Sequence, residues 1–103
     1  MLRVEEVYEK QVKRFQEKPD GTEVAVFEKV LKTRESLVNT DYVVAVQPYE
    51  FNSSRGERLA SEAFAEGTKF STFVMDGNSF RKSEVIVVGS FDKYCRLLGD
   101  KQT

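Results

Sequence analysis

Histidine is missing from the 103 residues of this chain, tryptophan is missing too, and cysteine occurs once. Without imidazole there is no Ser-His-Asp or Cys-His arrangement, no imidazole metal site and no side chain that ordinarily titrates near neutrality. One Cys and no His cannot build the usual nitrogen and sulfur shell of zinc. Cys95 has no second cysteine with which to close an internal bridge. Its place on a C-terminal helical face marks it as an inert core thiol. Paired-carboxylate or Lys/Tyr chemistry stays open in principle. The expectation is nevertheless a protein that binds and does not catalyse, with no cofactor and no metal.

Long apolar runs are also missing. The longest, Tyr42–Val46 and Val85–Val88, have the length of strands and not of membrane spans. The N-terminus, MLRVEEVYEK, carries acidic residues where a signal peptide needs an apolar centre. These features predict a cytoplasmic protein with no membrane partner. An excess of either charge is absent as well: sixteen Lys and Arg stand against seventeen Asp and Glu. Nucleic-acid binders draw most non-specific affinity from a basic excess, so nucleic acid is disfavoured as a partner.

What is present is an ordinary globular supply of apolar area, with eight Phe and four Tyr in a chain that is 40% hydrophobic. The length fits one domain, residues 1–103, which buries only a modest share of its surface. A homo-oligomer covering the remaining apolar faces is therefore expected.

Along the chain, Lys18-Pro19-Asp20-Gly21-Thr22 reads as a turn, because Pro presets its backbone angle and Gly accepts a left-handed one. The segments on either side fit two periods. Val4, Val7, Tyr8, Val12 and Phe15 form a helical stripe, as do Val24, Phe27, Leu31 and Leu37/Val38, yet Val4, Tyr8 and Val12 also share a strand face. A helical hairpin and a long β-hairpin both stay open. The Pro-Asp-Gly turn, the β-branched residues of the second segment and the strand expected directly after Asn39 favour the β-hairpin.

Asn39-Thr40-Asp41 predicts a turn and Tyr42–Val46 a buried strand ending near Pro48. Ser54 and Glu57 have capping-box spacing, and a helix over about 54–66 follows, with Leu59, Ala60, Ala63 and Phe64 on one face and Gly67 as its stop. Phe70–Met75 and Ser79–Val88 predict two strands joined at Asp76-Gly77-Asn78. Ser90 caps a last helix over 91–98, closed by Gly99. The fold class is α+β: a mainly antiparallel β-sheet with a long N-terminal hairpin and two α-helices.

Several residues have the chemistry of a nucleotide site. Phe70 and Phe80 offer rings for a base, Asn78 an amide that reads a base edge, and Arg81 and Lys82 adjacent cations for phosphate. The plainer reading of the same stretch is a hairpin with Asn78 in its turn and solvated cations. Arg34 lies just before the buried strand and could reach a site on the sheet. Arg55 stands at the opening of a helix, where free N–H groups favour an anion, although simple capping by Ser54 and Glu57 is the commoner use of such residues. Lys13 and Arg14 read as part of a solvated face of alternating charge.

The stretch from Arg34 through Val46, with its Val38-Asn39-Thr40-Asp41-Tyr42-Val43-Val44 core, resembles the phage-encoded Thoeris anti-defence proteins, which act as sponges for a cyclic ADP-ribose-type immune signal. So does Phe70 through Leu98, with its Met75-Asp76-Gly77-Asn78 turn and Val87-Val88-Gly89-Ser90-Phe91 step. A second likeness, to small FlbD-type motility regulators, lacks the long N-terminal segments and the inserted helix. The first resemblance implies a non-enzymatic phage counter-defence protein, working in the host cytoplasm as a homo-oligomer that sequesters an intact nucleotide. The alternative is a small regulatory or nucleic-acid-binding module. The aromatic and Asn of the family's site would fall near Phe70 and Asn78, and its C-terminal Arg near Arg96. Arg34 and Arg81 join this ligand-binding set on chemical grounds.

Overall fold

A computed structural model describes residues 1–77 and 83–99 of the chain. The first two segments are strands, β1 (Leu2–Glu17) and β2 (Glu23–Val38), paired in unbroken antiparallel register from Leu2 opposite Val38 to Glu17 opposite Glu23. The turn between them is built as its residues require. Gly21 has φ of 87°, and Asp20 Oδ1 accepts from both the backbone N–H of Thr22 at 3.0 Å and its hydroxyl at 2.6 Å. The helical alternative for this region is thereby excluded. Val4, Tyr8 and Val12 recur at a spacing of four, which satisfies both periods, and the β-branched content decides between them.

A short 3-10 turn at Thr40–Tyr42, capped by the Asn39 side chain, leads into β3 (Val43–Tyr49). Tyr42 thus belongs to the turn and not to the strand. β3 ends at Tyr49, beside Pro48 as expected. The strand lies at an edge of the sheet, where a residue without an N–H is tolerated. Helix α1 (Ser54–Ala63) follows, then β4 (Phe70–Met75), β5 (Glu84–Val88) and α2 (Phe91–Leu98). Ser53, not Ser54, caps α1 by accepting from the Gly56 N–H at 2.9 Å. The helix also ends earlier than expected. Phe64 takes extended angles and turns its ring onto Phe70, so Gly67 serves a later turn and not the helix stop. Ser90 caps α2 through the Lys93 N–H at 3.1 Å, and Gly99 closes it. The expected strand over 79–88 is seen from Glu84, and its beginning lies outside the described residues.

The five strands form one antiparallel sheet in the order β2-β1-β5-β4-β3. Alternation along the strands feeds a core on each face. On one face Val4, Val38, Val46, Phe73, Met75 and Val87 pack beneath α2 and its buried Tyr94. On the other, Val7, Leu31 and Phe70 pack beneath α1 through Leu59. Each such aliphatic side chain removed from water stabilises the fold by about 1.5–3 kcal/mol. No helix among the described residues is long and apolar enough to cross a membrane.

The hairpin outruns the rest of the sheet. A strand of sixteen residues is roughly 50 Å long, whereas β5 has five residues and registers with β1 at Glu6 opposite Val87. The molecule measures 61 × 30 × 21 Å, and the hairpin sets its long dimension. Beyond that junction the hairpin is a two-stranded arm bearing two exposed rings, Phe15 and Phe27.

Candidate functional site

Helix α1 lies across the α1-side face of the hairpin and defines the principal surface depressions there. Leu59 anchors it, buried against the core that holds Leu31 and Val7. Gly56 permits the close N-terminal turn: a Cβ at that position would stand 2.9 Å from Ser53 Oγ. Strand parity then fixes what faces the helix from β2. Phe27, Lys29 and Leu31 point to one side, and Leu31 is covered while Phe27 remains 61% exposed.

Between the exposed flank of α1 and these residues runs an open groove of about 540 Å³, with Phe27, Lys29, Arg55, Arg58 and Leu59 in its walls beside the carboxylates of Glu28 and Glu62. A second depression of about 350 Å³ adjoins it through Leu59 and Glu62 and adds Lys13, Arg14 and Lys32. The cations are partly organised already. Arg55 donates to Glu9 at 3.2 Å, Lys29 approaches the other oxygen of Glu9 at 3.9 Å, and Arg14 holds Glu28 at 3.0 Å. These pairs are exposed and contribute little to stability, but they fix where the charges stand. The Arg58 side chain takes part in no ion pair among the described residues.

The residues expected to form a nucleotide site are distributed differently. Arg34 lies opposite Glu6 on the α2 side of the sheet. Its Nε and Nη2 donate to the two carboxylate oxygens at 3.2 Å each, and its guanidinium stacks on Tyr8 at 4.6 Å. The Glu6 carboxylate raises the Arg34 pKa, by hydrogen bonding first and by charge second. Ser36 also donates to Glu6, at 3.0 Å. Phe70 lies on the opposite face, 9% exposed, with the rings of Phe51 and Phe64 edge-on to it at 5.0 and 4.9 Å. Arg96 is exposed in the last turn of α2. Asn78 and Arg81 fall outside the described residues. Within one chain, then, Arg34 and Phe70 are separated by the thickness of the sheet and are not brought together. Arg55, by contrast, does stand in a groove with other cations.

No protein-family model, no curated protein and no solved structure matches the chain.

The groove has the parts for holding an anion with a flat ring. Phe27 presents a π-face, Leu59 supplies an apolar floor, and Lys29, Arg55 and Arg58 supply donors. Among the described residues no three His, Cys, Asp or Glu side chains are placed to hold a metal ion. Sequence reasoning passed over Phe27 because a helical stripe counted it as core. The signal that could have found it is strand parity combined with length. A hairpin of two sixteen-residue strands beside shorter ones leaves its outer residues uncovered, and Phe27 then shares an open face with Lys29.

Proposed function

We propose that this protein is a non-catalytic binding protein for an anionic, ring-bearing ligand of the nucleotide class, held in the groove between α1 and the hairpin. The observation that carries this reading is the exposed Phe27 ring in one groove with Arg58 and Lys29. A base stacks on the ring, and phosphate takes the guanidinium of Arg58 with the Lys29 ammonium beside it. Binding of this kind needs no general base, and a chain without histidine supports it equally well. The likeness to Thoeris anti-defence sponges points within that class to a cyclic ADP-ribose-type signal and to sequestration as the purpose. In that role the chain would act for a phage, in the cytoplasm of its host.

The test is the melting temperature with and without cyclic and linear nucleotides, including cyclic ADP-ribose isomers, followed by recovery of the ligand after denaturation. A ligand at about a hundred times its dissociation constant adds about 2.7 kcal/mol, which in a domain of this size raises the melt by roughly 10 °C or more. The expected result is a shift with one nucleotide and its release unchanged. A chemically altered ligand would make the protein an enzyme. Absence of any shift, together with retardation of an oligonucleotide that weakens steeply with salt, would favour the nucleic-acid-binding alternative.

A further inference from the structure

The two edges of the sheet are built differently. β3 has seven residues, carries Pro48, and shifts register against β4 between Val43 and Ala45. Shortness, proline and a bulge all blunt an edge. β2 has sixteen residues with neither proline nor register shift, and no strand among the described residues neighbours its outer side. Lys18 N–H donates to Thr22 C=O at 2.7 Å, which fixes the alternation of the β1–β2 ladder. Even-numbered residues of β2 direct their backbone groups to β1. Odd-numbered residues from Glu23 to Leu37 direct theirs outwards.

We propose that a second copy of this chain takes this edge, β2 against β2 and antiparallel, about a twofold axis at Val30. Such an axis passes between a residue and its own mate, so only registers centred on one residue are open. Centring on Glu28, Lys29 or Lys32 sets that charged residue against itself. Centring on Val30 opposes no like charges: Val30 meets Val30, and Glu28 faces the partner's Lys32 twice over. Those are non-hydrogen-bonded pairs, in which side chains approach most closely. Centring on Leu31 also avoids like charges, but its ion pair takes Arg34 from the buried Glu6 and from Tyr8. The Val30 register asks only that the exposed Glu28 share its Arg14 pair with Lys32, which has no ion pair among the described residues. Centres nearer either end leave much of the strand unpaired.

The shape of the chain argues the same way. Its radius of gyration is 17.1 Å, against about 13 Å for a compact chain of this length. The difference comes from an arm that is two strands wide, and a two-stranded ribbon is marginal alone in water. In the Val30-centred pair, the outer part of each β2 lies along the base of the other's hairpin. Each arm thereby gains a neighbouring strand, and the two sheets become one of ten strands. This pairing does not depend on what the α1 groove binds.

Sedimentation equilibrium of the full chain tests it, with E28K, K32E and their equimolar mixture. Wild type is expected at twice the 11.8 kDa chain mass. Each single variant opposes two like-charge pairs and should dissociate about ten-fold more readily. The mixture restores both ion pairs and should recover the dimer. T33P removes only an outward N–H and should sediment as a folded monomer. A monomeric wild type, variants that associate as tightly as wild type, a mixture no tighter than its parts, or a dimeric T33P would each overturn the proposal.

Discussion

Arg34 grips Glu6 with two donors at 3.2 Å, Nε to Oε1 and Nη2 to Oε2, across directly opposed positions of β1 and β2. Glu6 is 8% exposed, so the charge of its carboxylate depends on such donors more than a surface charge does. R34A is expected to lower the melting temperature. E6Q/R34A should recover part of that loss, because a neutral amide costs less to bury than a carboxylate deprived of its cation. Calorimetry of both variants checks this; a double variant no more stable than R34A would contradict it.

In the groove, F27A and R58A should abolish the nucleotide-induced thermal shift while leaving the melting temperature of the free protein nearly unchanged. Both side chains are exposed, and changes at such positions typically move stability by under about 0.5 kcal/mol. R96A, on the far side of the sheet, should retain the full shift. Retention of binding in F27A and R58A with loss in R96A would move the site to α2.

Gly89 has φ of +132°, and a Cβ there would stand 2.7 Å from the Tyr94 ring. The hydroxyl of that ring donates to the Val88 carbonyl, so the ring cannot swing away without leaving a polar group behind. G89A should therefore destabilise by about 2–4 kcal/mol, read from the urea midpoint. A change within error would mean that α2 can slide over the sheet.

Two groups are expected to contribute to the limbs of a pH–stability profile. Burial first, and the charge of Glu5 second, raise the Tyr94 pKa above its ordinary 10.0. The fold favours the neutral phenol, so this contribution is complete below pH 10 and disappears as pH rises through the folded value. Hydrogen bonds from Thr22, side chain first, lower the Asp20 pKa below its ordinary 3.8. Its contribution is present above that value and disappears as pH falls through the folded one. Y94F should flatten the alkaline limb and D20N the acid limb of a urea-midpoint profile. Unchanged limbs would assign them to other groups.

The first turn and the caps of α2 were legible in the sequence because their chemistry is local, whereas the cap of α1 falls one residue before the expected Ser54. Pro19-Asp20-Gly21 and Ser90 act through their own backbone, and α2 lies over 91–98 as expected. The end of α1 was not legible, because Phe64 leaves the helix to pack its ring against Phe70 in the sheet, a contact that local pattern does not carry. The site was less legible still. Residue types suitable for a nucleotide were easy to find, but whether two of them share a face depends on strand pairing. Glu6 opposite Val87, and Phe70 opposite Val88, set Arg34 and Phe70 on opposite sides. Strand parity puts Phe27 and Lys29 on the α1 side of β2, but that α1 lies beside them to form a groove is a tertiary fact.

The position of β5 between β1 and β4 has a consequence for synthesis. The hairpin can zip once Val38 has emerged, and β3 and β4 can pair once Met75 has, yet among the described strands no ladder joins these halves until Glu84–Val88 arrives. Before then α1 reaches the hairpin, through Leu59 and Arg55. β5 is the keystone of the sheet, and until it has emerged the two ribbons remain separate sheets and the α2-side core, which needs Val87 and Tyr94, stays open to water.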